Sequence, residues 1–325
     1  MIGRKKHGGG SILFENHPGW QNMLQKDHIS FGLTIPIENY DKETPLMDDQ
    51  VQKAQLAEEL GFHCLWLQDV LLEDPTFEDP ATGQIFDSLI YLTYLASRTR
   101  SINLGTAALV MPLRHPLRTA KELASIERLF PGRLMAGISS GDRRKDFEGL
   151  NIPIMERGKW FREAYDFFTK ALYEEYPEAV SSFGKLDKSN LVPKPPNRIP
   201  VFMTGYCQQT IDWIAEHGDG WMFYPQRPEQ QKQTIDMYRE KVRGFHGDVF
   251  RPFFMPLPVI LSENPEAPVK KIPAGYQTGR EGLKDIIEQY RSAGVNHMMF
   301  GLSKNQRPTA EVMQEIGEDI LPYFK

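Results

Sequence analysis

Two short stretches of this chain combine small residues, hydroxyls and backbone amides in a way suited to holding an anion. In Gly137-Ile-Ser-Ser-Gly-Asp-Arg-Arg-Lys145, the Ser139 and Ser140 hydroxyls and the Gly141 N–H are short donors, and Arg143, Arg144 and Lys145 are cations. Such a set suits phosphate, which takes charge-assisted bonds from side chains and bonds from backbone amides alike. In Val201-Phe-Met-Thr-Gly-Tyr-Cys-Gln-Gln-Thr210, a short apolar strand ends at Gly205 and a helix follows, with no acidic side chain between Gly205 and Ile211. A helix start aims free N–H groups outward, and these bind anions. Thr210 adds a hydroxyl. Each stretch also has a plain structural reading: a solvated surface loop for the first, an ordinary strand–turn–helix joint for the second. A third stretch, Gly105-Thr-Ala-Ala-Leu-Val-Met-Pro112, is made of small residues that either admit a flat ligand to the backbone or fill a packing layer. Arg114 could bring charge to it. His115, just ahead of a proline-started helix, reads as structural.

These stretches need a scaffold that brings strand ends together. From Ile29 onward, short apolar runs alternate with amphipathic helical patterns. The runs are Phe31 to Ile37, His63 to Leu67, Ile102 to Ala107, Arg133 to Ile138, Val201 to Met203, Gly220 to Phe223, Phe253 to Leu261 and His297 to Phe300. The seventh is interrupted by Pro256 and Pro258, which weakens it as a strand. Eight strand-then-helix units predict an α/β fold with a parallel sheet closed into a (β/α)8 TIM barrel. An open doubly wound sheet would carry a glycine-rich loop after its first strand, where this chain has Glu38-Asn39-Tyr40. In a barrel the chemistry sits on the loops after the strands, which is where all three stretches fall. Residues 1–27 read as an N-terminal extension and 28–325 as one barrel domain. Within the extension, Trp20 is a candidate lid and Arg4-Lys-Lys-His7 a solvated tail. Trp66 and Trp221 read as barrel filling.

The 325 residues carry a net charge of −5, with 40% hydrophobic and 25% charged residues. No basic field exists to hold nucleic acid or an anionic membrane. No run approaches a membrane span, and no signal-peptide pattern opens the chain. Two cysteines, Cys64 and Cys207, without zinc-ligand spacing point to a reducing, cytoplasmic setting and to no metal.

The ordered fragments Gly105-Thr-Ala-Ala-Leu-Val-Met-Pro with His115-Pro116, Glu127-Arg-Leu-Phe-Pro-Gly-Arg133, Gly137-Ile-Ser-Ser-Gly with Lys145-Asp-Phe147, Glu156 to Glu163, Pro200-Val-Phe-Met-Thr-Gly and Glu216-His-Gly-Asp-Gly-Trp221 resemble the bacterial-luciferase-like flavin-dependent monooxygenases and oxidoreductases. The resemblance runs from about Ile29 to Tyr323. It implies a barrel that binds FMN or, in some branches, a deazaflavin coenzyme. It places a non-proline cis peptide between Ala107 and Ala108, against the flavin ring, with Thr106 beside it. It places phosphate contacts at Ser139, Ser140 and Gly141 and at Gly205, Tyr206, Cys207 and Thr210. It also implies a homodimer through the helices after strands two and three.

The chain departs from luciferase at three places. Asp69-Val70-Leu71 stands where luciferase has a histidine pair, one of them catalytic; Ser139 replaces its reactive cysteine; and Ser140 replaces its phosphate-gripping arginine, for which Arg143 or Arg144 is a substitute. Cys207 has no adjoining histidine and reads as a small residue near phosphate, not as a nucleophile. The resulting expectation is a monooxygenase using reduced FMN and O2 on a small organic molecule, with a flavin reductase as a candidate partner. Its pocket would be roofed by the loops after strands one, two and seven, with Glu38, Asn39, Gln68 and Asp69 as the polar candidates. Asp69 has a second reading as a cap on local backbone. The alternatives are a flavin-binding protein without turnover, a deazaflavin-dependent reductase, and a barrel enzyme acting on a phosphorylated substrate.

Overall fold

The computed structural model describes residues 14, 16–40, 44–74, 76–77 and 86–324, so the basic run Arg4 to His7 lies outside the described residues. Twelve strands occur among them: β1 (Ser30–Thr34), β2 (Cys64–Leu67), β3 (Asn103–Val110), β4 (Leu134–Ser139), β5 (Ala179–Ser181), β6 (Gly184–Leu186), β7 (Val201–Thr204), β8 (Gly220–Met222), β9 (Phe253–Leu261), β10 (Lys270–Ile272), β11 (Gly275–Thr278) and β12 (His297–Gly301). The helices are α1 (Pro18–Met23), α2 (Gln50–Glu59), α3 (Ser88–Arg98), α4 (Pro116–Leu129), α5 (Arg144–Gly149), α6 (Arg157–Tyr173), α7 (Ile211–His217), α8 (Pro228–His246), α9 (Arg280–Ala293) and α10 (Thr309–Glu315).

Eight strands pair in parallel around a closed circuit, β1-β2-β3-β4-β7-β8-β9-β12 and back to β1. This is the expected (β/α)8 barrel. Alternation along each strand sorts the core into two sets. Outward residues such as Leu33, Leu65 and Leu104 meet the helices. Inward residues, among them Cys64, Trp66, Met135, Phe202, Met222, Phe254 and Met299, fill the barrel.

The prolines of the seventh barrel strand, β9, have a physical explanation. The Phe254 carbonyl accepts from Phe223 N–H and the Pro252 carbonyl from Trp221 N–H, so even-numbered residues turn their backbone toward β8. β8 stops at Met222, and β11 joins β9 only from Val259 onward. The N–H groups that Pro256 and Pro258 lack would have pointed into that gap. Proline therefore costs no ladder bond there. The β10–β11 and β5–β6 hairpins are additions that the sequence pattern does not announce.

Trp20 closes the barrel, but at the end opposite the expected ligand face. It is buried, stacks on Phe14 at 4.3 Å and on Phe202 at 6.1 Å, and sits on α1, which is tied to the strand starts. Gly19 N–H donates to the Gly132 carbonyl, and Asn103 Nδ2 donates to the Gly19 carbonyl. Just inside this plug lies His297, fully buried. Trp66 Nε1–H donates to its Nε2 at 2.9 Å, which leaves the proton on Nδ1, 2.7 Å from Ser30 Oγ. Desolvation, helped by His63, pushes its pKa well below the usual value. His17, the N-cap of α1, is likewise lowered by burial, to about 4.

Both imidazoles are neutral in the folded chain, whereas the unfolded chain protonates them near pH 6.5. Their contribution is intact above that pH and falls as the pH drops below it, by roughly 1.4 kcal/mol per pH unit for each ring. Urea unfolding at pH 5 should therefore show these two residues removing about 4 kcal/mol relative to pH 7.5. His17→Asn retains an N-cap residue and should roughly halve the slope. An unchanged slope in that variant would assign the acid sensitivity elsewhere.

Candidate functional site

The carboxyl ends of the barrel strands form a mouth whose inward positions are small or neutral. Thr34, Gln68, Ala107, Ser139, Thr204 and Pro256 continue the inward alternation and are each half-buried. The peptide joining Ala107 to Ala108 is cis, at the position the resemblance implies. The β3–β4 register slips between Thr106 and Leu109, so this dipeptide leaves the ladder and presents its small side chains at the mouth. Thr106 itself is buried, its Oγ1 donating to the Gly137 carbonyl at 2.8 Å. Trp66 is fully buried in the barrel interior, as expected; Trp221 is equally buried but, in register with the outward residues Met203 and Phe253, packs outside the barrel against Tyr238 of α8, which corrects the expectation that it fills the interior.

The ends of β4 and β7 come together at Cys207. Its thiol is buried and directed at the carbonyls of Thr204 (3.3 Å) and Ile138 (3.7 Å). Burial pushes it up to about 12, against bonds from the Thr204 and Ser140 backbones. It is a packed thiol joining two loops, and its chemistry is not that of a nucleophile. Ser140 is buried beside it, while Ser139 is half-exposed and its hydroxyl makes no hydrogen bond among the described residues. Gly141 adopts φ +72°, and a Cβ there would lie 2.5 Å from Val110 Cγ1.

The second stretch differs from the expected direct helix start. α7 begins only at Ile211, and a turn of Gly205 to Gln209 intervenes. Gly205 (φ +63°), Cys207 (+51°) and Gln208 (+55°) are all left-handed. The Tyr206, Cys207 and Gln208 N–H groups make no backbone hydrogen bond of standard geometry. The anion-friendly amides thus belong to a left-handed turn, a concavity of successive N–H groups, and not to the helix. A Cβ on Gly205 would meet nothing within 4 Å, so the space beside Gly205 is open, while Cys207 in the same turn is buried. Thr210 caps α7, its Oγ1 accepting from Trp213 N–H at 3.2 Å, and Tyr206 stands half-exposed over Phe223.

The expected cation cluster is dispersed. Arg143 is buried, donates through Nη2 to the Leu72 carbonyl at 3.0 Å, and stacks over Phe77 at 4.6 Å. Its Nε lies 3.6 Å from Asp146, whose carboxylate also takes the Leu72 N–H at 3.0 Å. Arg143 therefore braces the loop after β2. Lys145 pairs with Glu148 on α5, and Arg144 is exposed. His115 is structural: its Nδ1 accepts from Leu117 N–H and its Nε2–H donates to the Phe183 carbonyl.

The polar candidates on the roof loops are mostly committed to the fold. Glu38 accepts from Leu46 N–H, Met47 N–H and Gln50 Nε2. Asn39 donates to the Arg307 carbonyl and accepts from Thr309 Oγ1. Asp69 accepts from Val110 N–H (3.0 Å), Ser88 Oγ (3.0 Å), and Arg114 through Nε (2.9 Å) and Nη2 (2.6 Å). That is the backbone-capping reading, extended by an arginine that sequence reasoning placed in the site. Burial alone would lower the Arg114 pKa; the bonds to Asp69 and Asp87 more than offset this and hold it above the ordinary value. Gln68 is different: among the described residues its amide makes no hydrogen bond.

A family model described as luciferase-like monooxygenase matches residues 29–318. The alkanal monooxygenase alpha chain of Photorhabdus luminescens is 26% identical over 213 residues, which are 64% of this chain and 56% of that protein. The alpha chain of Aliivibrio fischeri is 24% identical over 195 residues, 58% and 52% of the two chains. The chain thus spans little more than half the length of these relatives. Among solved structures, a monooxygenase from Streptomyces bottropensis matches with a TM-score of 0.76 at 18% identity, over 91% of this chain and all of the other. An F420-dependent secondary alcohol dehydrogenase matches with a TM-score of 0.75 at 16% identity, over 92% and 99%. A type II Baeyer-Villiger monooxygenase from Pseudomonas putida in complex with FMN gives 0.69 at 12% identity, over 92% and 99%. At such identities the likeness is one of fold.

Proposed function

Because this chain belongs to the luciferase-like monooxygenase family, we propose that it is a flavin-dependent oxidoreductase, a monooxygenase using reduced FMN and O2 on a small organic substrate. The carrying observation is the Gly205 turn: the Tyr206, Cys207 and Gln208 amides lack a standard backbone acceptor, the space beside Gly205 is open, and the Cys207 thiol joins the turn to the end of β4. That cradle fits a phosphate, and the small Ala107–Ala108 surface across the mouth fits a planar ring. Bound flavin would supply the redox chemistry. The protein's part is to hold the phosphate at Ser140, Gly141 and Tyr206 to Gln208, to wall the ring with Ala107 and Ala108, and to exclude water. Cys207 sets the spacing of the two phosphate loops. Thr210 fixes the start of α7 behind the turn. Glu38 and Asp69, with their oxygens occupied, shape the roof.

An absorbance titration with FMN, reduced FMN and a deazaflavin tests this. Gly205→Asp places a carboxylate in the cradle and should weaken FMN binding by roughly a hundredfold, as an uncompensated charge beside phosphate costs several kcal/mol. Gly205→Asn has the same size and the same tolerance of left-handed backbone, and should weaken it only about tenfold. Equal losses would place the phosphate elsewhere. A protein with no affinity for any flavin favours an enzyme of phosphorylated substrates. FMN binding without O2 consumption favours a binding protein, and preference for the deazaflavin favours a reductase.

A homodimer through α3 and α4, the helices after strands two and three, is part of the same reading. Ile90 and Tyr94 on α3, with Phe86 beside them, expose large apolar surface on one side of the barrel, Ile90 at 74%. Sedimentation should show a dimer, and Ile90→Lys should convert it to monomer at micromolar concentration. An unchanged dimer in that variant would move the interface to another face. A separate flavin reductase is the proposed source of reduced FMN.

A further inference from the structure

The amides of Tyr206, Cys207 and Gln208 belong to peptides whose carbonyls are all held. The Gly205 carbonyl accepts from Trp221 Nε1–H at 2.8 Å, the Tyr206 carbonyl from Gln209 N–H at 2.8 Å, and the Cys207 carbonyl from Gln209 Nε2 at 3.2 Å. A trans peptide is planar and its N–H points opposite to its C=O, so a bond on each carbonyl fixes where the next residue's N–H points. The Gln209 side chain is itself fixed in one sense. Its Oε1 accepts from Arg162 Nε at 3.1 Å and Nη2 at 2.6 Å, and its Nε2 also donates to the Gly158 carbonyl at 2.8 Å. Turning the amide over would set its NH2 against the guanidinium and its oxygen against two carbonyls. Gly158 admits the turn to α6: a Cβ there would lie 2.7 Å from Gln208 Cβ. Gln208 is left-handed, at φ +55°, which is unfavourable for a residue with a side chain. Rotating the Cys207–Gln208 peptide by half a turn would relieve this and would put the Cys207 carbonyl oxygen where the Gln208 N–H stands. The bond from Gln209 Nε2 opposes that rotation.

We propose that Gln209, seated on Arg162 and Gly158 of α6, and Trp221 of β8 are positioning residues that hold the amides of the Gly205 turn in the orientation that receives phosphate. The proposal rests on that turn being the phosphate site of the flavin reading, and it names the side chains that orient the site.

FMN and riboflavin share a ring and differ in the phosphate, so the ratio of their affinities isolates the turn. Gln209→Met keeps the length of the side chain but cannot donate. It should lower the ratio about tenfold, the worth of one bond to a charged group, with riboflavin affinity within about twofold of the unaltered protein. Trp221→Phe keeps a ring against Tyr238 without the Nε1–H and should move the ratio in the same direction. Gln208→Gly removes the left-handed cost, so adding it to Gln209→Met should restore most of the ratio. General loosening of the fold would weaken both ligands alike and would not be repaired by a glycine. Equal losses for FMN and riboflavin, an unchanged ratio in Gln209→Met, or no recovery with Gln208→Gly would overturn the proposal. Amide resonances separate its failure from that of the cofactor reading. Inorganic phosphate, added without flavin, should shift the Tyr206, Cys207 and Gln208 N–H signals, and Gln209→Met should need about tenfold more of it. If no flavin binds, the cofactor assignment fails and this titration alone decides the role of Gln209, signals that stay in place counting against it. FMN bound with those three signals unmoved keeps the cofactor assignment and overturns the positioning role.

Discussion

Gly137→Ala is expected to destabilise the chain by about 3 kcal/mol, at the upper end of what overpacking usually costs, and to remove flavin binding at the same time. Gly137 sits in mid-β4 with its side facing the barrel interior. A Cβ there would lie 2.1 Å from the Thr106 carbonyl oxygen and 3.1 Å from Met222 Sδ. The methionine can move, but the carbonyl belongs to β3 and cannot. Relief requires β3 and β4 to part where the Thr106 hydroxyl bonds the Gly137 carbonyl, immediately before the Ala107–Ala108 surface. A shift of about 1 Å in that surface is enough to cost on the order of a hundredfold in activity. Gly244→Ala provides the contrast. It lies on the exposed side of α8, where an added Cβ meets nothing, and it should stabilise by roughly 0.5–1 kcal/mol through helix propensity. Urea midpoints of the two variants should move in opposite directions. A Gly137→Ala protein with wild-type stability and FMN affinity would mean that the β3–β4 seam is softer than its geometry implies.

The difference between these two glycines is invisible in the chain as written, and it marks where sequence reading stops. Periodicity gives the strands and helices because the outward and inward faces of a barrel strand bury different partners. It also gives Trp66 as filling, but in a three-residue strand it does not fix the face, and Trp221 packs outward against Tyr238 of α8 instead of filling the barrel. What it does not carry is the partner of a polar side chain. Glu38, Asn39 and Asp69 sit on the right loops and are the right types for chemistry, yet each is consumed by groups the local sequence does not name. Asp69 is met by Val110 and Arg114, more than forty residues downstream. Arg143 sits among phosphate-friendly neighbours and turns instead toward Leu72 and Phe77. The Gly205 turn shows the same limit: the amides of Tyr206, Cys207 and Gln208 lack a standard backbone acceptor because the chain turns through left-handed backbone at Gly205, Cys207 and Gln208, which composition does not reveal for the last two.

Asp69→Ala should cost about 3 kcal/mol, the low end of the range for orphaning one partner of a buried ion pair, because this pair keeps some solvent contact. The side chains of Asp69 and Arg114 are 13% and 19% exposed, so screening weakens the pair without abolishing it. Removing the carboxylate leaves the Val110 N–H and the Ser88 hydroxyl without their acceptor, and leaves Arg114 to lean on Asp87 and, at 4.0 Å, on Glu122. Asp87 caps α3 through the Leu89 and Ile90 N–H groups, so the disturbance passes from the loop after β2 to the start of the next helix. Arg114→Ala should cost a similar amount, and the double variant less than the sum by about 2 kcal/mol, as expected for residues sharing one network. Arg114→Lys should recover little, since a point charge cannot span Nε and Nη2 contacts to two oxygens. The same series separates the two roles open to Asp69. If it clamps the loops, Asp69→Asn lowers stability and broadens substrate binding while the pH–rate profile keeps its shape. If it transfers protons, Asp69→Asn removes one limb of that profile at nearly unchanged stability. Additive single variants, within about 0.4 kcal/mol, together with a lost limb would replace the clamp with an acid–base role.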